Sequence, residues 1–154
     1  MTSRPERAVS VQADAVRCPV ALTRLAELSR RVLRAMGVPR ALLSVTMVNT
    51  RTMARLNRAH LGHRGPTDVL TFTLQAAVND VIVADIYICP DVARAQARAH
   101  RVGVREELAR LVIHGTLHAA GWDHPNDAGR MTSPMWQRQE QLLKRYWISA
   151  TARA

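Results

Sequence analysis

Lysine is almost absent from this chain, aromatic residues are scarce, and there are only two cysteines. Each shortage excludes something. Aromatic residues make up 4% of the 154 positions and Phe72 is the single phenylalanine, so a core has to be built from Leu, Val, Ile and Ala, and few rings remain for stacking on bases. Cys18 and Cys89 stand far apart, in no C-x-x-C pair and beside no histidine cluster; buried free thiols are expected rather than a disulfide. No apolar run approaches the roughly 18 residues that a membrane span needs. The first residues, MTSRPERAVS, lack the apolar stretch of a secretory signal, so the expected compartment is the cytoplasm.

What is abundant is arginine. Lys144 is the one lysine among 22 cations, which face 12 anions and leave a net charge of +10. A high-GC coding bias explains the choice of arginine over lysine. It does not explain the excess of cations over anions. That excess favours an anionic partner, RNA or DNA, held through phosphates more than through stacked bases.

The length fits one domain, with about two thirds of the unfolded surface buried on folding. Ala8 to Val16 alternates loosely and reads as a first strand. After Pro19, apolar residues at Val20, Leu22, Leu25, Leu28, Val32 and Leu33 recur at helical spacing until Gly37. LLSVTMV (42–48) is a second strand; Thr52 is expected to cap a short helix through Asn57, followed by the polar loop HLGHRGP. DVLTFTL (68–74) and VIVADIYIC (81–89) read as two more strands. Pro90 and Asp91 open an Ala/Arg helix that breaks near Gly103, and Arg105 to Ala120 form the next helix. Ser133 and Pro134 pair as N-cap and first residue of a last helix, ending about Trp147. The expected fold is a mixed α/β (α+β) domain of about four strands, with helices weighted toward the C-terminal half.

The stretch HGTLHAAGWDH (114–124) gathers three of the six histidines. His114 and His118 are four apart on a helix, so both imidazoles project from one face. A bare pair of this kind is often accidental. Here Gly121 can stop the helix in a left-handed conformation and His124 can return to the same point. Three neutral imidazoles leave the fourth position of a tetrahedral zinc open, the layout of a catalytic rather than a structural site. The H-x-x-x-H-x-x-G-x-x-H spacing is that of metzincin proteases, but Gly115 stands where those enzymes carry their glutamate base. Asp123 is either a support for a ligand imidazole or an ordinary turn residue. Asp85, an acid in an apolar strand, points either into the cleft or to the solvent side of an edge strand, the second being favoured.

HGTLHAAGWDH resembles the H-G-x-L-H-x-x-G-x-D-H signature of the YbeY family, bacterial zinc-dependent endoribonucleases of ribosomal RNA maturation. LNRAHLGHRGPTDVLTF and ADIYIC resemble two further segments of that family, in the same order, so that the likeness runs over about residues 40 to 147. The resemblance implies a zincin-like fold in one domain spanning 1–154 and one Zn²⁺ held by His114, His118 and His124. It also implies single-strand-directed cleavage in processing the 3′ end of small-subunit ribosomal RNA, and a part in ribosome quality control. Ala84 and Thr71 replace a glycine and a serine of the family pattern. The family arginine implicated in cleavage aligns with Leu61, and Arg64, three residues on, is the candidate catalytic cation in its place. Two other readings stand beside this one: a zinc peptidase, disfavoured by Gly115, and a zinc-binding ribosome-assembly protein with little nuclease activity.

If the arginine excess serves RNA, binding to a single-stranded RNA should weaken linearly in log K against log salt, as counterions are released. A titration between about 50 and 200 mM salt checks this; a flat response would place the arginines off the binding face.

Overall fold

A computed structural model describes residues 6–78 and 81–152. Its centre is a four-stranded mixed sheet of β1 (Glu6–Ala13), β2 (Arg40–Met47), β3 (Val69–Val78) and β4 (Val81–Ile88), in the order β1-β2-β4-β3. β1 and β2 pair in parallel, as do β2 and β4, while β3 lies antiparallel to β4. A parallel pair needs a crossover connection, and α1 (Leu22–Ala35) supplies the one between β1 and β2.

Alternation along the strands decides the layers. Ala41, Leu43, Val45 and Met47 of β2 and Ala84, Ile86 and Ile88 of β4 are buried on one face. That face carries α1 and α4 (Val104–Ala119). The other face presents Leu42, Ser44 and Thr46 beside Val83, Asp85 and Tyr87, more open to water. Only one end of it is covered, where Met53 and Leu56 of α2 (Thr50–Leu61) pack with Leu70, Phe72 and Tyr87. Asp85 therefore points away from α4, as expected of a solvent-side residue, but β4 is an inner strand, flanked by β2 and β3, and not an edge.

The remaining helices, α3 (Pro90–His100) and α5 (Pro134–Leu143), flank α4; α5 runs on through a π-helical turn (Lys144–Ile148) into a last turn at Ser149–Ala152, beyond the expected end at Trp147. The cap of α2 also differs from expectation. Asn49 Oδ1 accepts the Thr52 backbone N–H at 2.9 Å, so the helix starts upstream, and it continues past Asn57 until Gly62 turns left-handed at φ +68°. His60 and Leu61 thus belong to a helix and not to the loop. Cys18 and Cys89 are free thiols, Cys89 fully buried.

α4 is enclosed by α1, α3, α5 and the sheet, and eleven of its sixteen residues are buried. A helix apolar nearly all round belongs in the centre of a fold. Two polar ties fix it. Thr116 Oγ1 donates to the Val112 carbonyl at 2.7 Å, so the 2.8 Å contact with Ser29 of α1 has Ser29 as donor. Arg110 bridges Glu106 and Glu107 on α4 to Glu140 on α5, at 2.9 to 3.3 Å. At Gly115 the helix comes so close to the sheet that a Cβ would lie 2.8 Å from Ile86 Cγ2 and 3.3 Å from Thr71 Oγ1. A side chain there would have to displace Ile86, so the glycine in place of the glutamate goes with close packing: position 115 faces β4, not the histidines.

Gly115→Ala is expected to lower stability by about 1–3 kcal/mol through overpacking against Ile86. That outweighs the helix-propensity gain of alanine over glycine, about 1 kcal/mol. A denaturation midpoint at or above wild type would show that Ile86 yields.

Candidate metal centre

His114 and His118 leave α4 on the same face, one turn apart, near its C-terminal end. The helix then ends in a Schellman arrangement: Trp122 N–H donates to the Leu117 carbonyl and Gly121 N–H to that of His118, both at 3.0 Å, with Gly121 at φ +99°. This reversal returns His124 to the helix face. Nε2 of His118 and Nε2 of His124 lie 3.1 and 3.2 Å from Nε2 of His114. The structure thus brings together the three histidines expected from the spacing, and among the described residues they form the group competent to hold a metal.

Their Nδ1 atoms determine what the Nε2 atoms can do. His114 Nδ1–H donates to Gln139 Oε1 at 2.6 Å, His118 Nδ1–H to the Trp122 carbonyl at 2.9 Å, and His124 Nδ1–H to the Pro125 carbonyl at 2.9 Å. Carbonyl oxygens only accept, and Gln139 is oriented by its own Nε2 donating to Glu140 Oε2 at 3.1 Å. Each ring therefore carries its proton on Nδ1 and turns a bare lone pair on Nε2 toward the other two. A tetrahedral zinc with Zn–N bonds of about 2.0–2.1 Å sets ligand nitrogens about 3.3–3.4 Å apart. The observed spacing fits that ion, and the mutual repulsion of three lone pairs is what a cation relieves.

Burial and neighbouring charge favour the neutral form of His114 and His118. Burial pushes the His114 pKa down from 6.5 to about 4, against the opposing bond to Gln139; the charges of His118, Arg130 and His124 add to the shift. His118 is also lowered, first by burial, with its bond to Trp122 opposing and His124 and Arg130 assisting. Neutral imidazole is the form that binds metal.

The centre opens into a groove of about 800 Å³ running along β3. Its walls include Asn57, Leu61 and His63 on one side and Trp122 and His124 on the other, with Arg130 beside His114. Leu61 is 51% exposed on this wall. Arg64 is exposed in the loop beyond, next to His63. Asp123 is the turn residue of the two alternatives: its Oδ1 accepts the His124 backbone N–H at 2.9 Å and bonds to no imidazole. His60 packs its ring on Phe72, 4.6 Å between centroids.

Two residues escaped the sequence reading. Arg130, on a short 3₁₀ turn (Arg130–Thr132), is half-buried in the groove. Its signal was its isolation, the only cation between Arg110 and Arg138. Gln139 is 1% exposed, and its signal was a polar residue on the apolar stripe of Met135, Leu142 and Leu143.

Comparison with known proteins finds relatives over most of the chain. The family model described as "Endoribonuclease YbeY" matches residues 11–147. Among relatives carrying that description, one from Frankia casuarinae is 42% identical over 133 residues, covering 78% of this chain and 65% of that protein. Another, from Staphylococcus carnosus, is 35% identical over 70% of this chain and 73% of its own length. The solution structure of TM1509 from Thermotoga maritima superposes with a TM-score of 0.62 at 25% identity, covering 94% of this chain and 93% of that one.

Because His114 titrates lower when folded than the ordinary 6.5, the unfolded chain binds more protons between those values and stability falls with pH through the window from 6.5 to about 4. Chelator-treated protein is expected to lose on the order of 1–3 kcal/mol across it. Denaturation midpoints at about pH 7 and 5 check this; equal midpoints would show that His114 is solvated.

Proposed function

The chain belongs to the YbeY family, and on that premise we propose that it is a zinc-dependent, single-strand-directed endoribonuclease acting on ribosomal RNA. The reading includes maturation of the 3′ end of the small-subunit RNA, ribosome quality control, and a cytoplasmic place of work beside the small ribosomal subunit. No helix among the described residues is long and apolar enough to cross a membrane. The observation that carries the reading is the convergence of three Nε2 lone pairs at one point in an open groove.

Three imidazoles at this spacing, with no further ligand in the group among the described residues, are the donor set of a catalytic zinc. His114, His118 and His124 would hold the zinc, which would supply Lewis acidity at that point of the groove. The chain's own residues do the rest. Gln139 and the carbonyls of Trp122 and Pro125 hold the rings in their ligating tautomer. The half-buried guanidinium of Arg130 makes no hydrogen bond or ion pair among the described residues, and can grip two phosphate oxygens at once. Arg64, exposed in the loop beyond Leu61, is the second cation of this reading. The net charge of +10 attracts the strand at long range. A peptidase reading gains nothing, because a glutamate at position 115 would have to displace Ile86. The alternative of an assembly protein with little nuclease activity rests on Leu61 standing in the groove wall.

Protein purified without a histidine tag is expected to carry one zinc per chain and to cut single-stranded ribosomal RNA until a chelator is added. His114→Ala with His118→Ala should abolish both. Arg130→Ala should keep its zinc and lose about 10²-fold or more in kcat, as when a transition-state donor is removed. Arg64→Ala separates the two cations: a matching loss makes them partners, and a wild-type rate removes Arg64 from the site. Full zinc without cleavage would hand the protein to the assembly reading.

A further inference from the structure

Besides the groove, a second cavity reaches His114. The second, about 210 Å³, lies among α3, α4, α5 and the 3₁₀ turn. The two have Asp68, His114 and Arg130 in common, so they meet at the metal centre. A strand lying in the groove with a phosphate at His114 and Arg130 has the mouth of the smaller cavity directly beside that phosphate.

Size and chemistry narrow the occupant. Sites for drug-sized ligands run to roughly 300–1,000 Å³, so this one admits a single ring system. Its deep polar groups are already occupied: Glu107 and Arg110 bond each other, and Gln139 is held between His114 and Glu140. Its outer polar groups are not. Among the described residues, the side chains of Gln96 and His100 on α3 and the indole N–H of Trp136 on α5 make no hydrogen bond. Half-buried Trp136 adds aromatic surface, in a chain with very few rings. Aromatic surface with free donors and an amide, next to a phosphate position, is the chemistry that takes a nucleobase: a flat face to stack and a polar edge to bond. Arg98 and Arg101, exposed beside His100, carry positive charge onward past the cavity.

We propose that this cavity is a nucleobase subsite, receiving the unstacked base of a nucleotide that adjoins the scissile phosphate. The inference rests on the endoribonuclease reading and supplies it with a reason for single-strand preference. A base in a duplex is stacked and paired, and must leave the helix at an energetic cost before it can enter such a pocket.

The test couples the pocket to the base. Short single-stranded oligoribonucleotides carry one abasic position, moved along the sequence. With the full chain and its metal, both the Kd of a labelled oligonucleotide and kcat/KM are read. At one position next to the cut, loss of the base should weaken wild type on the order of tenfold, the effect of losing one stacked base. Trp136→Ala should show the same loss with the intact oligonucleotide and no further loss with the abasic one, while Trp136→Phe keeps most of the binding. Zinc content stays unchanged in all. His100→Ala, at an exposed position, gives a second cycle if Trp136→Ala folds poorly. Independent, additive losses at every position, or Trp136→Ala and His100→Ala binding and cutting like wild type, would overturn the subsite. Coupling seen in Kd without any cleavage keeps the subsite and removes the nuclease reading; cleavage without coupling does the reverse.

Discussion

Three imidazole lone pairs aimed at one another from about hydrogen-bond distance cannot be left as they are, and the fold around them is arranged to keep them there. Each ring is anchored through Nδ1 to an oxygen that can only accept: two backbone carbonyls and one oriented amide. The anchors come from different places. The Trp122 and Pro125 carbonyls belong to the turn that follows α4, while Gln139 comes from α5 and is itself held by Glu140 and, through it, Arg110. The centre is therefore as rigid as the packing of α5 on α4. A cation bound at the three Nε2 atoms would relieve their mutual repulsion in a site already organised by folding.

The same constraint accounts for the odd residue in the signature. While His114 and His118 face the groove, Gly115 faces the sheet, where a Cβ would lie 2.8 Å from Ile86 Cγ2. A carboxylate at that position, as in the proteases with similar spacing, needs the helix to stand farther from β4. The packing thus separates this chain from them more firmly than the spacing does, and in the proposed reading phosphate chemistry falls to cations. Arg130 is well placed for that: half-buried, unpaired among the described residues, and shared by both cavities. Its charge also lowers the pKa of His114 and His118, which favours their neutral, metal-competent form.

The two faces of the sheet divide the labour. One is covered by α1 and α4 and holds the core; the other stays partly open, with Asp85 and Ser44 opposite each other and α2 over one end. That placement puts Asp85 on the far side of the sheet from the histidines, outside the chemistry proposed for the groove.

The sequence by itself determined the elements and the metal-competent triad. Helical and strand periods, the Ser133–Pro134 start and the Gly121 stop are local properties of the chain, and the spacing of His114, His118 and His124 is closed by one helix and one turn. Errors at this level were also local: Asn49 replaces Thr52 as cap because it lies three residues before an N–H it can accept, and Gly62 ends the helix that Asn57 was expected to end. Tertiary structure alone decided the strand order that makes β4 an inner strand, the contact that sets position 115 against Ile86, and the arrival of Gln139 and Arg130 at the histidines. Those are meetings between residues distant in sequence, such as Gln139 with His114, 25 positions apart. Their partners are set by how helices pack on the sheet, and no periodicity along the chain encodes a distance across it.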